Sequence, residues 1–149
     1  MRVAIITESF APDLNGVANS VVKVVEQLAR RGHEPMVIAP QPSPTAGRPI
    51  ARENSSRFHE HDHGYPVVRV RSVPVPGYRS FRVGLPSARV LEALDRFAPD
   101  IVHLASPFVL GAYGIAAADR LDLPSVAVYQ TDVPGYAAGY GLGFASAAG

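Results

Sequence analysis

The chain of 149 residues contains no cysteine. It therefore has neither a disulfide framework nor a thiolate metal site, which fits a reducing, cytoplasmic compartment. Its charges nearly balance at a formal net charge of +1, so nothing indicates electrostatic binding to nucleic acid. No apolar run approaches the ~20 residues of a transmembrane helix. The first apolar run, residues 3–6, is too short for the core of a secretory signal, and we expect no leader.

The sequence also lacks the short motifs of several enzyme classes. No G-x-G-x-x-G follows the first apolar run, which argues against a dinucleotide site, and no nucleophile elbow, P-loop or Ser-His-Asp arrangement is present. Histidines alternate at His59, His61 and His63, and in a strand they would share one face and offer zinc ligands. Their polar surroundings and the missing fourth ligand favour a solvated loop instead.

What the chain does contain is an alternation of short apolar runs and amphipathic stretches. This order predicts one α/β domain with a doubly wound, Rossmann-like parallel sheet. Proline-rich residues 41–63 predict a long loop, and residues 73–83 predict an irregular connection. Ser106 followed by Pro107 predicts a helix start with serine as its cap. The expected strands are residues 3–6, 35–39, 67–70, 101–104 and 125–129; the expected helices are residues 16–31, 87–97 and 107–121.

The step from the first strand into the first helix is the most informative feature. A polar loop of about eight residues follows the strand, and Asn15-Gly16 opens the helix, which Gly32 ends with a left-handed cap. Open α/β sheets bind ligands at this edge, and the free amides of a helix start form an anion site. Gly16 has no Cβ to obstruct a phosphate or sugar. The alternative is that Asn15-Gly16 only caps the helix.

Two further polar positions lie at predicted strand ends. Gln130, Thr131 and Asp132 directly follow the fifth strand, where side chains point into the ligand crevice. His103 lies near the end of the fourth strand, where a cleft position and a hydrogen-bonded core position are equally compatible with the sequence. The glycine-rich residues 130–149 carry aromatic residues too frequently for disorder. We expect the chain to stop inside a larger protein.

Three stretches carry a family resemblance: residues 9–21 (SFAPDLNGVANSV), 100–107 (DIVHLASP) and 128–136 (VYQTDVPGY). Together they resemble the amino-terminal domain of family 4 glycosyltransferases, which are retaining enzymes of the two-domain GT-B type. The resemblance covers essentially the whole chain, and the chain is similar in particular to the GDP-mannose-dependent α-mannosyltransferases of GC-rich bacteria, which build glycolipids and lipoglycans.

The resemblance implies a division of labour. Residues 1–149 would form the acceptor side, and a carboxyl-terminal domain, absent from this chain, would supply most contacts to the nucleotide sugar. Gly16 would approach the donor diphosphate or the transferred sugar, and Asn15, Asn19 and Thr131 would bind the acceptor. Gln130 occupies the place where many relatives carry a histidine, and since glutamine cannot carry a catalytic proton, it would hydrogen-bond a sugar hydroxyl.

The resemblance also implies that Asp132 orients the acceptor hydroxyl. No metal or other cofactor is expected, because basic side chains and helix amides neutralise the leaving diphosphate in this enzyme type. A lipid acceptor implies a peripheral contact with the inner face of the membrane. The competing hypothesis is a non-catalytic flavodoxin-like or receiver-type domain that binds a partner. A receiver-type domain requires an acidic cluster after the first strand, for which Glu8 and Asp13 are weak candidates.

Overall fold

A six-stranded sheet forms the centre of the computed structural model, which describes residues 1–42, 59–61, 64–76, 78–106 and 108–128. In chain order the elements are β1 (Arg2–Ile6), α1 (Gly16–Arg30), β2 (Glu34–Pro40), β3 (His59–His61), β4 (Tyr65–Val70), β5 (Ser72–Val75), β6 (Tyr78–Gly84), α2 (Ala88–Phe97), β7 (Ile101–Leu104), α3 (Val109–Arg120) and β8 (Ser125–Ala127).

The strand order of the main sheet is β3-β4-β2-β1-β7-β8. All its neighbouring pairs are parallel except β3 with β4. From β1 the chain moves outward through β2 to β4, then returns to the other side of β1 to form β7 and β8. The order therefore reverses between β1 and β7, which is the position where doubly wound sheets bind ligands. The predicted Rossmann-like fold is confirmed.

The central strands β1 and β2 are buried on both faces because their side chains alternate between two apolar layers. In β1, Ala4 and Ile6 belong to the layer formed with α2 and α3, whereas Val3 and Ile5 belong to the layer formed with α1. The amphipathic pattern of α1 predicts this packing, since its buried residues Ala18, Val21 and Val25 follow helical spacing.

Glycine caps and close approaches set the ends and the packing of two helices. Gly32 follows α1 with φ of +78°, and its left-handed cap is confirmed. On α3, a Cβ at Gly111 would lie 2.2 Å from the carbonyl oxygen of Ser106, and one at Gly114 would lie 2.5 Å from Cδ1 of Ile6. Helix α3 thus packs closely on the sheet because these two positions carry no side chain.

Three sequence predictions about local structure are wrong. Residues 73–83 are not irregular, since β5 and β6 pair there as an antiparallel hairpin. Residues 59–61 do not continue a loop, because they form β3 at the sheet edge and pair with β4. Ser106 is not a helix cap: α3 begins at Val109, and the residue before it, Phe108, makes no side-chain capping bond. Residues 43–58, 62–63, 77, 107 and 129–149 lie outside the described residues.

Candidate functional site at the carboxyl edge of the sheet

Buried polar side chains line the carboxyl ends of β1 and β7, where the strand order reverses. Thr7, Ser9 and Ser106 are each at most 5% exposed. The Thr7 hydroxyl donates to the Ser9 carbonyl oxygen at 2.9 Å and lies 3.4 Å from the Ser106 hydroxyl. The Ser106 hydroxyl also accepts the amide of Glu8 at 3.3 Å. Ser106 therefore joins the two strand ends across the crevice, which is the role it has in place of helix capping.

The buried side chain of Glu8 binds a backbone amide at the start of α3. Its carboxylate accepts the amide of Leu110 at 2.5 Å and the amide of Gly84 at 3.0 Å. Burial raises the pKa of the Glu8 carboxyl, and the two backbone hydrogen bonds act in the opposite direction. An acidic side chain at a helix start also suits the helix dipole. This internal carboxyl group therefore takes the Leu110 amide at the start of α3.

The start of α1 is open by comparison. Asn15 caps it, with Oδ1 accepting the amide of Ala18 at 2.9 Å. The structure, within the part of the chain it describes, offers no acceptor to the amides of Gly16 and Val17. A Cβ built on Gly16 meets no heavy atom within 4 Å, and Gly16 is exposed. Two free amides at a helix start, beside a glycine with open space at its Cβ position, suit the binding of an oxyanion.

Hydrogen bonds between side chains brace the loop that carries Gly16. Asn15 Nδ2 donates to the Ser9 hydroxyl at 2.6 Å, and that hydroxyl donates to Asp13 Oδ2 at 3.1 Å. The Asp13 amide donates to the carbonyl oxygen of Phe10 at 3.0 Å. Asn15 thus does two structural jobs, since it caps α1 and ties the cap to the crevice. Asn19 lies one turn along α1 and is exposed.

His103 lies in the sheet and on the side of α1. It pairs in register with Ile5 of β1, which packs in the α1 layer. The imidazole is half-buried, and its buried Nε2 has no hydrogen-bond partner among the described residues. Burial lowers the pKa of His103, which favours the neutral ring. Among the described residues, the sequence alternative of a hydrogen-bonded core histidine is not met at Nε2.

The structure brings together only part of the predicted site. Asn15, Gly16 and Asn19 lie on one loop and helix start at the crevice, as the sequence predicts. Gln130, Thr131 and Asp132 lie outside the described residues, and their predicted roles stay predictions. Over the part of the chain that the structure describes, no cluster of three His, Cys, Asp or Glu side chains with metal-site spacing occurs. No described helix is long and apolar enough to cross a membrane.

Sequence reasoning did not find the structural roles of two charged residues at the site, Glu8 and Arg69. Glu8 and Arg69 bind groups that are 102 and 58 residues away along the chain, respectively. No local pattern marks such partners. The available signal for Glu8 was its place directly after a buried strand, where a charge needs a specific partner. Arg69 offered a similar signal, because it interrupts the apolar run at the end of β4.

Comparison with known proteins places this geometry in a family. Residues 14–148 match the domain described as Glycosyltransferase Family 4. The chain belongs to glycosyltransferase family 4. The family resemblance found in the sequence is therefore confirmed, and a mostly parallel sheet with flanking helices agrees with the amino-terminal half of a GT-B enzyme. Membership decides against the flavodoxin-like or receiver-type alternative.

The chain is similar to three proteins named GDP-mannose-dependent alpha-mannosyltransferase. It is 51% identical to that of Mycobacterium tuberculosis over 95% of this chain and 35% of the relative. Identity to the Mycolicibacterium smegmatis protein is 48% over 99% of this chain and 37% of the relative. Identity to the Corynebacterium glutamicum protein is 45% over 95% of this chain and 32% of the relative. The chain thus spans about a third of the length of the relatives it matches.

Proposed function

We propose that this chain is the acceptor-side domain of a retaining mannosyltransferase that uses GDP-mannose and a glycolipid or lipoglycan acceptor. The observation that carries the proposal is the open start of α1 at the switch point of a family 4 domain. The donor chemistry comes from relatives at 45–51% identity. In the whole protein, a carboxyl-terminal domain would close over this edge and supply most donor contacts.

In this proposal the helix start acts on the leaving group. The amides of Gly16 and Val17 would donate to the diphosphate or to a hydroxyl of the transferred sugar, in the direction favoured by the dipole of α1. As negative charge develops on the leaving diphosphate, fixed donors stabilise it without reorganisation. The filled start of α3 supports this choice, because Glu8 already occupies the corresponding amide of Leu110.

The acceptor would lie beside this group. Asn15, Asn19 and Thr131 would contact it, Gln130 would hydrogen-bond a sugar hydroxyl, and Asp132 would orient the attacking hydroxyl. Because the acceptor carries lipid, the enzyme would work at the inner surface of the membrane as a peripheral protein. No metal or cofactor is required in this scheme, since amides and basic side chains neutralise the diphosphate.

Transfer assays on the whole protein test the proposal. Purified full-length enzyme is incubated with radiolabelled GDP-mannose and a membrane lipid extract, with GDP-glucose and UDP-glucose as matched donors. We expect a mannosylated lipid product whose new linkage has the anomeric configuration of the donor, as nuclear magnetic resonance would report. Transfer from UDP-glucose alone would contradict the donor, and an inverted linkage would contradict retention.

A further inference from the structure

Arg69, at the end of β4, reaches across to the loop that follows β1. Its Nη1 donates to the carbonyl oxygen of Pro40 at 2.9 Å, at the end of β2, and its Nη2 donates to the carbonyl oxygen of Ala11. The guanidinium also lies over the ring of Phe10, at 5.4 Å from its centroid. One side chain thus connects the ends of β4 and β2 with the loop that leads to Gly16.

This cation is held mainly by neutral groups. Burial lowers the pKa of the Arg69 guanidinium, whereas the negative charge of Asp13 opposes that change. Because a partly buried charge needs fixed donors and acceptors around it, Arg69 and the loop stabilise each other. Phe10, only 2% exposed, anchors the same stretch in the α1 layer. The loop is consequently fixed at Phe10 and Ala11.

From that fixed point, hydrogen bonds continue to the helix start. The Phe10 carbonyl oxygen accepts the amide of Asp13, whose carboxylate accepts the Ser9 hydroxyl. That hydroxyl accepts Nδ2 of Asn15, which caps α1 directly before Gly16. We propose that Arg69 is a positioning residue for the transfer reaction, holding the loop between β1 and α1 so that the Gly16 amide meets its ligand. The inference rests on the ligand role proposed for Gly16.

Substitution of Arg69 in the full-length enzyme tests the inference. Arg69→Gln removes the fork that joins two carbonyl groups, and we expect kcat/KM to fall between about 10-fold and 100-fold, as for a displaced binding group. Arg69→Lys keeps the charge but cannot span both carbonyl groups while stacking on Phe10. Its kcat/KM should therefore lie between that of the wild type and that of Arg69→Gln. Arg30→Gln, an exposed arginine at the end of α1, is the matched control and should leave activity unchanged.

Hydrogen exchange separates positioning from general stability. In Arg69→Gln, the amides of Phe10, Ala11, Asp13 and Leu14 should exchange at least several-fold faster than in the wild type, whereas amides of β1 should not change. Equal acceleration in the loop and in β1, or no acceleration in the loop, would overturn the inference. If Arg69→Gln does not fold, Arg69→Lys is used for the same comparison.

A double-mutant cycle decides whether Arg69 acts through Gly16. If it does, Arg69→Gln combined with Gly16→Ala should lower kcat/KM little further than the more damaging single substitution, because both displace the same contact. If the fold-decrease in kcat/KM of the double variant equals the product of the two single fold-decreases, the inference is overturned and the proposed function stays intact. Full activity of Gly16→Ala alone would instead refute the role of Gly16 and, with it, the basis of the inference.

Discussion

Two glycines bound α1, and they differ in backbone conformation. A Cβ built on either one meets no heavy atom within 4 Å, but the φ of +78° at Gly32 strains any other residue. We expect Gly16→Val to abolish transfer in the full-length enzyme at an unchanged thermal midpoint. Gly32→Ala should lower the free energy of unfolding by about 1 kcal/mol and leave kcat/KM unchanged.

Steady-state kinetics and thermal unfolding of both variants check this expectation. A Gly16→Val enzyme that is folded and fully active would show that no ligand approaches this position. A Gly16→Val enzyme that unfolds would mean that the glycine serves the backbone, which the open space around it argues against. The comparison with Gly32 is informative because a ligand role predicts lost activity at unchanged stability, whereas a conformational role predicts lost stability at unchanged activity.

Glu8 should make stability depend on pH. Because its pKa is raised in the folded protein above the ordinary value of 4.5, the folded state holds the proton more tightly than the unfolded state. The contribution of Glu8 is therefore fully present below about pH 4.5, and it declines as pH rises through the raised pKa. The free energy of unfolding of wild type minus that of Glu8→Gln should fall across that window.

Urea unfolding at a series of pH values measures this difference. The exposed Glu26, substituted to glutamine, corrects for the simple loss of one carboxylate. A difference that rises with pH would mean that the hydrogen bonds from Gly84 and Leu110 outweigh the desolvation of Glu8. The folded pKa would then lie below the ordinary value, contrary to what the burial of this carboxyl indicates.

Among the elements, α3 depends on glycine for its place on the sheet. Helix propensity alone would favour Gly111→Ala by about 1 kcal/mol. The new Cβ, however, would lie 2.2 Å from the carbonyl oxygen of Ser106, a backbone atom that cannot rotate away. We therefore expect Gly111→Ala to lower the free energy of unfolding by about 1–3 kcal/mol or more.

The neighbouring Ala112 supplies the control for that experiment, since it is exposed on the same helix. Ala112→Gly should cost about 1 kcal/mol through propensity alone. Chemical denaturation of both variants gives the comparison. An equal or higher stability for Gly111→Ala would contradict the close packing of α3 on the end of β7.

Elements with a strong local pattern could be predicted from the sequence, and elements defined by distant partners could not. The apolar residues 3–6 and the striped face of α1 predicted the sheet and its first helix. Pro74, Pro76 and Gly77 concealed the hairpin, because a two-stranded edge tolerates the prolines that a central strand excludes. Ser106 has the local signature of a helix cap, but its hydroxyl binds the amide of Glu8 across the crevice.

The candidate site likewise contains residues that a local sequence pattern marks and residues that only distant partners define. Asn15 and Gly16 could be found because a cap and a glycine next to a buried strand form a local pattern. Arg69 supports that pair from β4, 58 residues from its partner Ala11, and only the strand order brings the two together. Sequence reasoning therefore found the cap and the glycine at the start of α1, and it missed the residue from β4 that holds their loop.

At the scale of the whole molecule, the described site residues lie at the carboxyl edge of the sheet. They belong to the ends of β1, β4 and β7, to the loop that enters α1 and to the first turns of α1 and α3, and the chain spans about a third of the length of its relatives. On the proposal that a second domain supplies most donor contacts, residues 1–149 alone should bind acceptor without completing transfer. We expect no product from GDP-mannose and membrane lipid extract.

That expectation has a physical basis in how transfer is accelerated. Stabilising the charge of a leaving diphosphate requires donors on more than one side and exclusion of water, which two amides on an open helix start cannot provide. Full-length enzyme in the same assay is the control. Adding its separately purified carboxyl-terminal part to residues 1–149 tests whether the two parts together restore transfer. Robust transfer by residues 1–149 alone would refute the division of labour, since the open edge would then contain the complete catalytic site.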